Sequence, residues 1–165
     1  MEFLKDLFNN DILLAPILSW VTGQIIKAVT HLIIEHRFSI ERMFGDGGMP
    51  SGHSATVVSL AVAIGWSYGF DSALFAISAI LSVIVMHDAM GVRREAGKHA
   101  ESIKEISELF NELFKERDIK IRTEKMKKLI GHTPLQVFVG ALVGLLIAVI
   151  VCSVIGISYK QGYFM

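Results

Sequence analysis

The residues able to do chemistry in this 165-residue chain gather in two short polar segments, each running straight into an apolar block. The first is Gly47-Gly48-Met49-Pro50-Ser51-Gly52-His53-Ser54 and the second is Gly131-His132-Thr133-Pro134. Small residues at a helix start let an anion approach the backbone, whose N–H groups and dipole favour negative charge. A histidine at each helix mouth, with basic side chains nearby, is equipment for phosphoryl transfer. Arg93 and Arg94 carry planar forks suited to phosphate oxygens. Lys27 stands inside an apolar block, where an ionisable group is costly and ordinarily faces a polar cavity. Asp88 closes another block, where its carboxylate could pair with either arginine or orient a histidine. Plainer readings stand beside these: a capping histidine at the interface, a snorkelling lysine, and arginines that only anchor topology.

These residues need elements to position them, and the elements are apolar. Hydrophobic residues make up 52% of the chain and mean hydropathy is +0.51, too apolar for an ordinary soluble fold. Residues 12–34 carry one formal charge, Lys27, whereas 54–70, 72–87 and 135–159 carry none. A bilayer core takes ~20 predominantly apolar residues per helix, with a lower limit near ~17. The outer two blocks meet this comfortably; the middle two are marginal and, separated only by Asp71, read as a helical hairpin. The expected fold is therefore all-α, a polytopic membrane bundle of about four transmembrane helices, with residues 1–165 forming one domain. Met1–Asp6 lacks a basic leader region, so no cleaved signal is expected. The lone Cys152 excludes an intrachain disulfide.

Four crossings put residues 35–53 and 88–134 on one side of the membrane. Both histidine motifs and Arg93-Arg94 open there, with Lys27 in the nearer half of its helix. The stretch from Arg93 to Lys128 holds eleven Lys/Arg, against only Lys5 and Lys160 on the opposite side. Positive residues in short loops stay cytoplasmic, so the site is expected to face the cytoplasm from the cell membrane. Within the helical insertion at about 93–130, Ile103, Ile106, Leu109, Phe110, Leu113 and Phe114 recur at spacings of three and four, an amphipathic cytoplasmic helix. That helix could lie on the membrane, cover the pocket or pair with a second subunit. Gly140 and Gly144 form a small-xxx-small stripe that serves packing, within the chain or in a homodimer.

Taken together, these residues resemble the type 2 phosphatidic acid phosphatase and vanadium haloperoxidase superfamily, and most of all its divergent membrane branch. Pro50-Ser51-Gly52-His53 matches the central signature. Lys27 takes the place of the first lysine, with Arg37 or Arg42 as its arginine although the usual Arg-Pro pair is absent. Asp88-Ala89-Met90-Gly91-Val92-Arg93-Arg94 and Gly131-His132-Thr133-Pro134 stand for the third part. The resemblance implies that His132 attacks phosphorus to form a phosphohistidine and His53 protonates the leaving oxygen. Lys27, Arg42, Arg93 or Arg94, and the N–H groups around Ser51 and Gly52, would hold the phosphate oxygens. It further implies a lipid phosphate or polyprenyl diphosphate substrate, no cofactor and no metal; neither motif suggests nucleic acid.

One departure bears on catalysis. Gln136 stands where the superfamily places the aspartate that supports the nucleophilic histidine, with Asp88 as a substitute if the fold brings it near. In a serine-protease triad the corresponding Asp-to-Asn change costs ~10⁴ in kcat. A catalytically weak or inactive descendant, binding phospholipid headgroups or a partner protein through the same pocket, is the rival expectation. A small transporter resting on Lys27 and Asp88 is a third, though its polar groups would sit on both faces.

Overall fold

The computed structural model describes Glu2, Lys5 and residues 10–35, 48–114 and 131–155, apart from the side chains of residues 34, 35 and 92–94. These contain five helices longer than one turn: α1 (Asp11–Glu35), α2 (Gly52–Tyr68), α3 (Ala73–Met90), α4 (Val92–Leu113) and α5 (Pro134–Ile155). Each start has a local cause. Asn10 accepts the Ile12 N–H ahead of α1, and Ser51 and Ser72 cap α2 and α3 by accepting from Ser54 and Phe75. Gly69, at φ +93°, turns the chain out of α2 in the left-handed half of backbone space that glycine adopts without strain.

α2 is the central helix, packed against α1, α3 and α5. Its buried residues are all small: Gly52, Ser54, Ala55, Ser59, Ala61, Ala63, Gly65 and Ser67. Small side chains let backbones approach, and serines tie helices together where no water competes. Ser19 of α1 donates to the Ala55 carbonyl at 3.1 Å, and Ser82 of α3 donates to the Val57 carbonyl at 2.9 Å. A Cβ on Gly140 would collide with the Ser51 carbonyl, and one on Gly144 with the Ala55 carbonyl. The glycine stripe is therefore occupied by α2 within the chain, and a homodimer through Gly140/Gly144 does not fit this packing. The same contacts show α5 running parallel to α2.

The large apolar side chains point the other way. Ile25, Ile33, Ile77, Ile80 and Leu146 are all more than half exposed, an apolar exterior around a small-residue interior. That inversion suits a solvent of lipid. Among the described residues, three stretches are long and apolar enough to cross a membrane: Asp11–Ile33, the run Ala73–Leu113 that begins with α3, and Pro134–Ile155. The chain is a helical membrane protein. α2 accounts for the difference from four expected crossings: its 17 residues rise about 25 Å, and neighbouring helices rather than lipid surround much of it. α4 leaves α3 at Gly91 and packs chiefly on α3, with Ile103, Ile106, Leu109 and Leu113 exposed.

Candidate functional site

The site lies where the end of α1, the starts of α2 and α5 and the end of α3 meet. Two backbone hydrogen bonds set this meeting. The Ser51 N–H donates to the Gln136 carbonyl at 3.0 Å, and the His132 N–H donates to the Ala89 carbonyl at 3.1 Å. The first ties the turn before α2 to the first turn of α5; the second ties the segment before α5 to the end of α3. His53 and His132 thereby come together, their ring centroids 6.0 Å apart and their planes at 64°. His132 is buried at 2% exposure while His53 is partly open. Two histidines separated by 79 positions in the chain thus stand side by side.

His132 has a defined ring orientation. The Gln136 Oε1 lies 3.3 Å from His132 Nδ1 and accepts the Thr133 N–H at 3.0 Å, while the Gln136 N–H faces Thr133 Oγ1 at 3.4 Å. Thr133-Pro134-Leu135-Gln136 is a capping box, with Pro134 as first helical residue. The Thr133 N–H can only donate, so the amide atom facing it must be the oxygen rather than the NH₂. An oxygen there can only accept, so His132 Nδ1 donates to it, and the neutral form of the ring then carries its lone pair on Nε2. Gln136 thus lies against the His132 ring, in the first turn of α5. The capping box itself, legible in the Thr-x-x-Gln spacing, escaped the sequence reading.

Lys27 is buried at 7% exposure, which removes the snorkelling alternative. Its stem lies along Gly48, with Cγ, Cδ and Cε 3.4–3.7 Å from where a Cβ would stand. Gly48 has φ +98°, so a side chain there would be strained as well as crowded. Ser51 differs from expectation. Its N–H is spent on Gln136, and its buried hydroxyl accepts from the Ser54 N–H at 3.4 Å and the Ser54 hydroxyl at 3.0 Å. Ser51 is thus the cap of α2 and its tie to α5. Asp88 is exposed at the end of α3, and Gln136 makes a contact at His132 Nδ1. The α3 terminus also contributes the Ala89 carbonyl, which accepts the His132 N–H. Arg37 and Arg42 lie outside the described residues. Arg93 and Arg94 start α4, with their side chains likewise outside.

Two residues at this site went unread in the sequence. Gln24 Nε2 and Trp20 Cδ1 lie 3.5 and 3.7 Å from the Cβ position of Gly52. They share a face of α1 with Lys27, at spacings of three and four. A glutamine and a tryptophan in an apolar helix give no signal until the face is known.

No solved structure matches the chain. Over 151 residues it is 38% identical to the "Uncharacterized membrane protein YuiD" of Bacillus subtilis (strain 168), covering 88% of this chain and 96% of that protein. The profile of the Divergent PAP2 family matches residues 8–147. With its Pro-Ser-Gly-His turn, paired histidines and this span of similarity, the chain belongs to the Divergent PAP2 family.

Proposed function

We propose that the protein is a membrane phosphatase for lipid phosphates or polyprenyl diphosphates, working through a phosphohistidine at His132. The observation that carries this is the His132 ring, held with its Nδ1 proton on Gln136 and set 6.0 Å from His53. Nε2 of His132 forms the bond to phosphorus as the bond to the leaving oxygen breaks, and His53 supplies the proton that oxygen needs. Neutral His53 then takes a proton from water. The resulting hydroxide forms a bond to phosphorus, the N–P bond breaks, and phosphate leaves with His132 restored. Lys27 and the Gly52 N–H stabilise charge on the phosphoryl oxygens, with Arg93 or Arg94 and Arg42 as further donors. Membership of a PAP2-related family and burial among apolar helices support a lipid substrate. The site faces the cytoplasm of the cell in this reading, on the strength of the basic bias between Arg93 and Lys128.

Gln136 sets the expected rate. A neutral amide holds the tautomer but cannot neutralise the positive ring of a phosphohistidine as a carboxylate would. Because the Thr133 N–H fixes which end of the amide faces the histidine, the loss is smaller than the ~10⁴ of a triad whose tautomer is lost. Slow, measurable turnover follows. The same neutrality favours a second reading, a pocket that binds phospholipid headgroups without cleaving them. Phosphate release from phosphatidic acid and a polyprenyl diphosphate by purified protein, compared with His132→Ala, decides between them. Equal release by both, with lipid bound by both, would leave the binding reading.

A further inference from the structure

α4 carries four Lys/Arg and five Glu in 22 residues, too many charges for a bilayer crossing. Its second half nevertheless presents a row of large apolar side chains. Ile103, Ile106, Leu109 and Leu113 recur at spacings of three and four and are 49%, 66%, 60% and 79% exposed. Ser107, among them in the chain, is buried at 3%. The protein thus covers a serine on this helix and leaves isoleucine and leucine open, where water would favour the reverse. The membrane-spanning helices show the same inversion, with Ser19 and Ser82 inside and Ile25, Ile77 and Leu146 outside. There the outer solvent is lipid.

We propose that α4 lies on the bilayer surface, with its Ile103–Leu113 stripe sunk at the boundary between headgroups and acyl chains. α4 follows the membrane-spanning α3 after the single residue Gly91, so the stripe continues an exterior that is already in lipid. Glu101, Glu105, Glu108 and Glu112, all exposed, form a second stripe about 120° round the helix. Charges turn to water when the first stripe meets hydrocarbon, which is the arrangement of an interfacial helix. The open patch amounts to a few hundred Å², short of the ~800 Å² per partner that a stable dimer buries, so a second copy fits it less well. With five Glu against four Lys/Arg, α4 gains nothing from anionic lipid, and apolar burial is what holds it. Gly91, from which α4 leaves, lies two residues after Ala89, whose carbonyl accepts the His132 N–H. An α4 on the surface therefore sets His132 at headgroup depth.

Nitroxide labels on Glu105→Cys, Ile106→Cys, Glu108→Cys and Leu109→Cys test this in the full chain, reconstituted in phosphatidylcholine vesicles. Cys152 is buried, and wild-type protein taken through the same labelling corrects for it. Each variant is shown folded by its melting curve, and Leu113→Cys replaces either stripe variant that is not. Collision with oxygen, which concentrates in hydrocarbon, is compared with collision with a nickel chelate confined to water. The oxygen-to-nickel ratio should be several-fold higher at positions 106 and 109 than at 105 and 108, and should not rise when phosphatidylglycerol is added. A nickel chelate that reaches the stripe as often as the glutamate positions would overturn the proposal. Exclusion of both reagents from the stripe would overturn it in favour of a protein cover, with spin–spin broadening marking a second copy. A ratio that rises only with phosphatidylglycerol would overturn the apolar account of the seating. Phosphate release enters none of these readings, so the surface helix stands or falls apart from the phosphatase.

Discussion

Replacing Gln136 by glutamate exchanges one amide nitrogen for an oxygen and leaves the length of the side chain unchanged. Length matters here, because a single atom, Oε1, meets both the Thr133 N–H at 3.0 Å and His132 Nδ1 at 3.3 Å. An aspartate, one methylene shorter, would bring back the charge but lose the reach. Glutamate keeps the capping box and places its charge in the first turn of α5, where the helix dipole favours it. A hydrogen bond to a charged acceptor is worth about 1 kcal/mol more than one between neutral groups, roughly a fivefold gain in rate if the extra strength appears as the ring becomes positive. Gln136→Leu removes both acceptor contacts. It should cost about 1 kcal/mol through the lost cap, and lower kcat by between tenfold and ~10⁴, the upper figure being the cost of a lost tautomer. The assay is initial-rate phosphate release from phosphatidic acid in mixed micelles at saturating substrate, with a melting curve for each variant. A glutamate variant no faster than wild type, beside a leucine variant that keeps full rate, would refute the orienting role of Gln136.

In single-turnover experiments, His53→Ala should slow phosphohistidine formation from an alkyl phosphate by ~10²-fold or more while sparing that step for an aryl phosphate with a good leaving group, since only the former needs a proton from the general acid; equal losses on both would remove His53 from that role. Gly140→Val should lower stability by about 1–3 kcal/mol in thermal or denaturant unfolding, because its Cβ meets the Ser51 backbone rather than a flexible side chain; an unchanged melting curve would contradict the α2–α5 packing. Cysteines placed at the exposed positions Glu108 and Asp71 should label from opposite sides, Glu108 from the cytoplasm and Asp71 from outside. The native Cys152 is buried and should stay silent. Labelling of both from one side would break the topology.

The meeting of His53 and His132 was legible in the sequence, because apolar blocks that alternate across a membrane return both motifs to one face. Lys27 was legible for a related reason: a charge within an apolar helix needs a polar neighbour, and Gly48 beside it marks where the site lies. Ser51 was read as a phosphate donor because Pro-Ser-Gly-His was weighed for its chemistry before its capping. The structure shows a serine whose donor and acceptor groups hold the start of α2 and the turn to α5. Gln136 was flagged for the charge it lacks, while the spacing that makes it the partner of Thr133 passed unnoticed. The partner of Gly140 and Gly144 lay beyond the sequence. A small-residue stripe predicts a close neighbour but carries no label for which helix arrives. Gln24 and Trp20 were hidden for the same reason, since only the contact with Gly52 reveals the direction they face.

The central claim is that His132 becomes covalently phosphorylated during turnover. Rapid acid-free quenching of the protein with ³²P-labelled phosphatidic acid, followed by alkaline electrophoresis and peptide mapping, tests it directly. The account predicts an alkali-stable, acid-labile label confined to the peptide carrying His132 and abolished in His132→Ala. Phosphate release that proceeds undiminished in His132→Ala, with no label on that peptide, would contradict it.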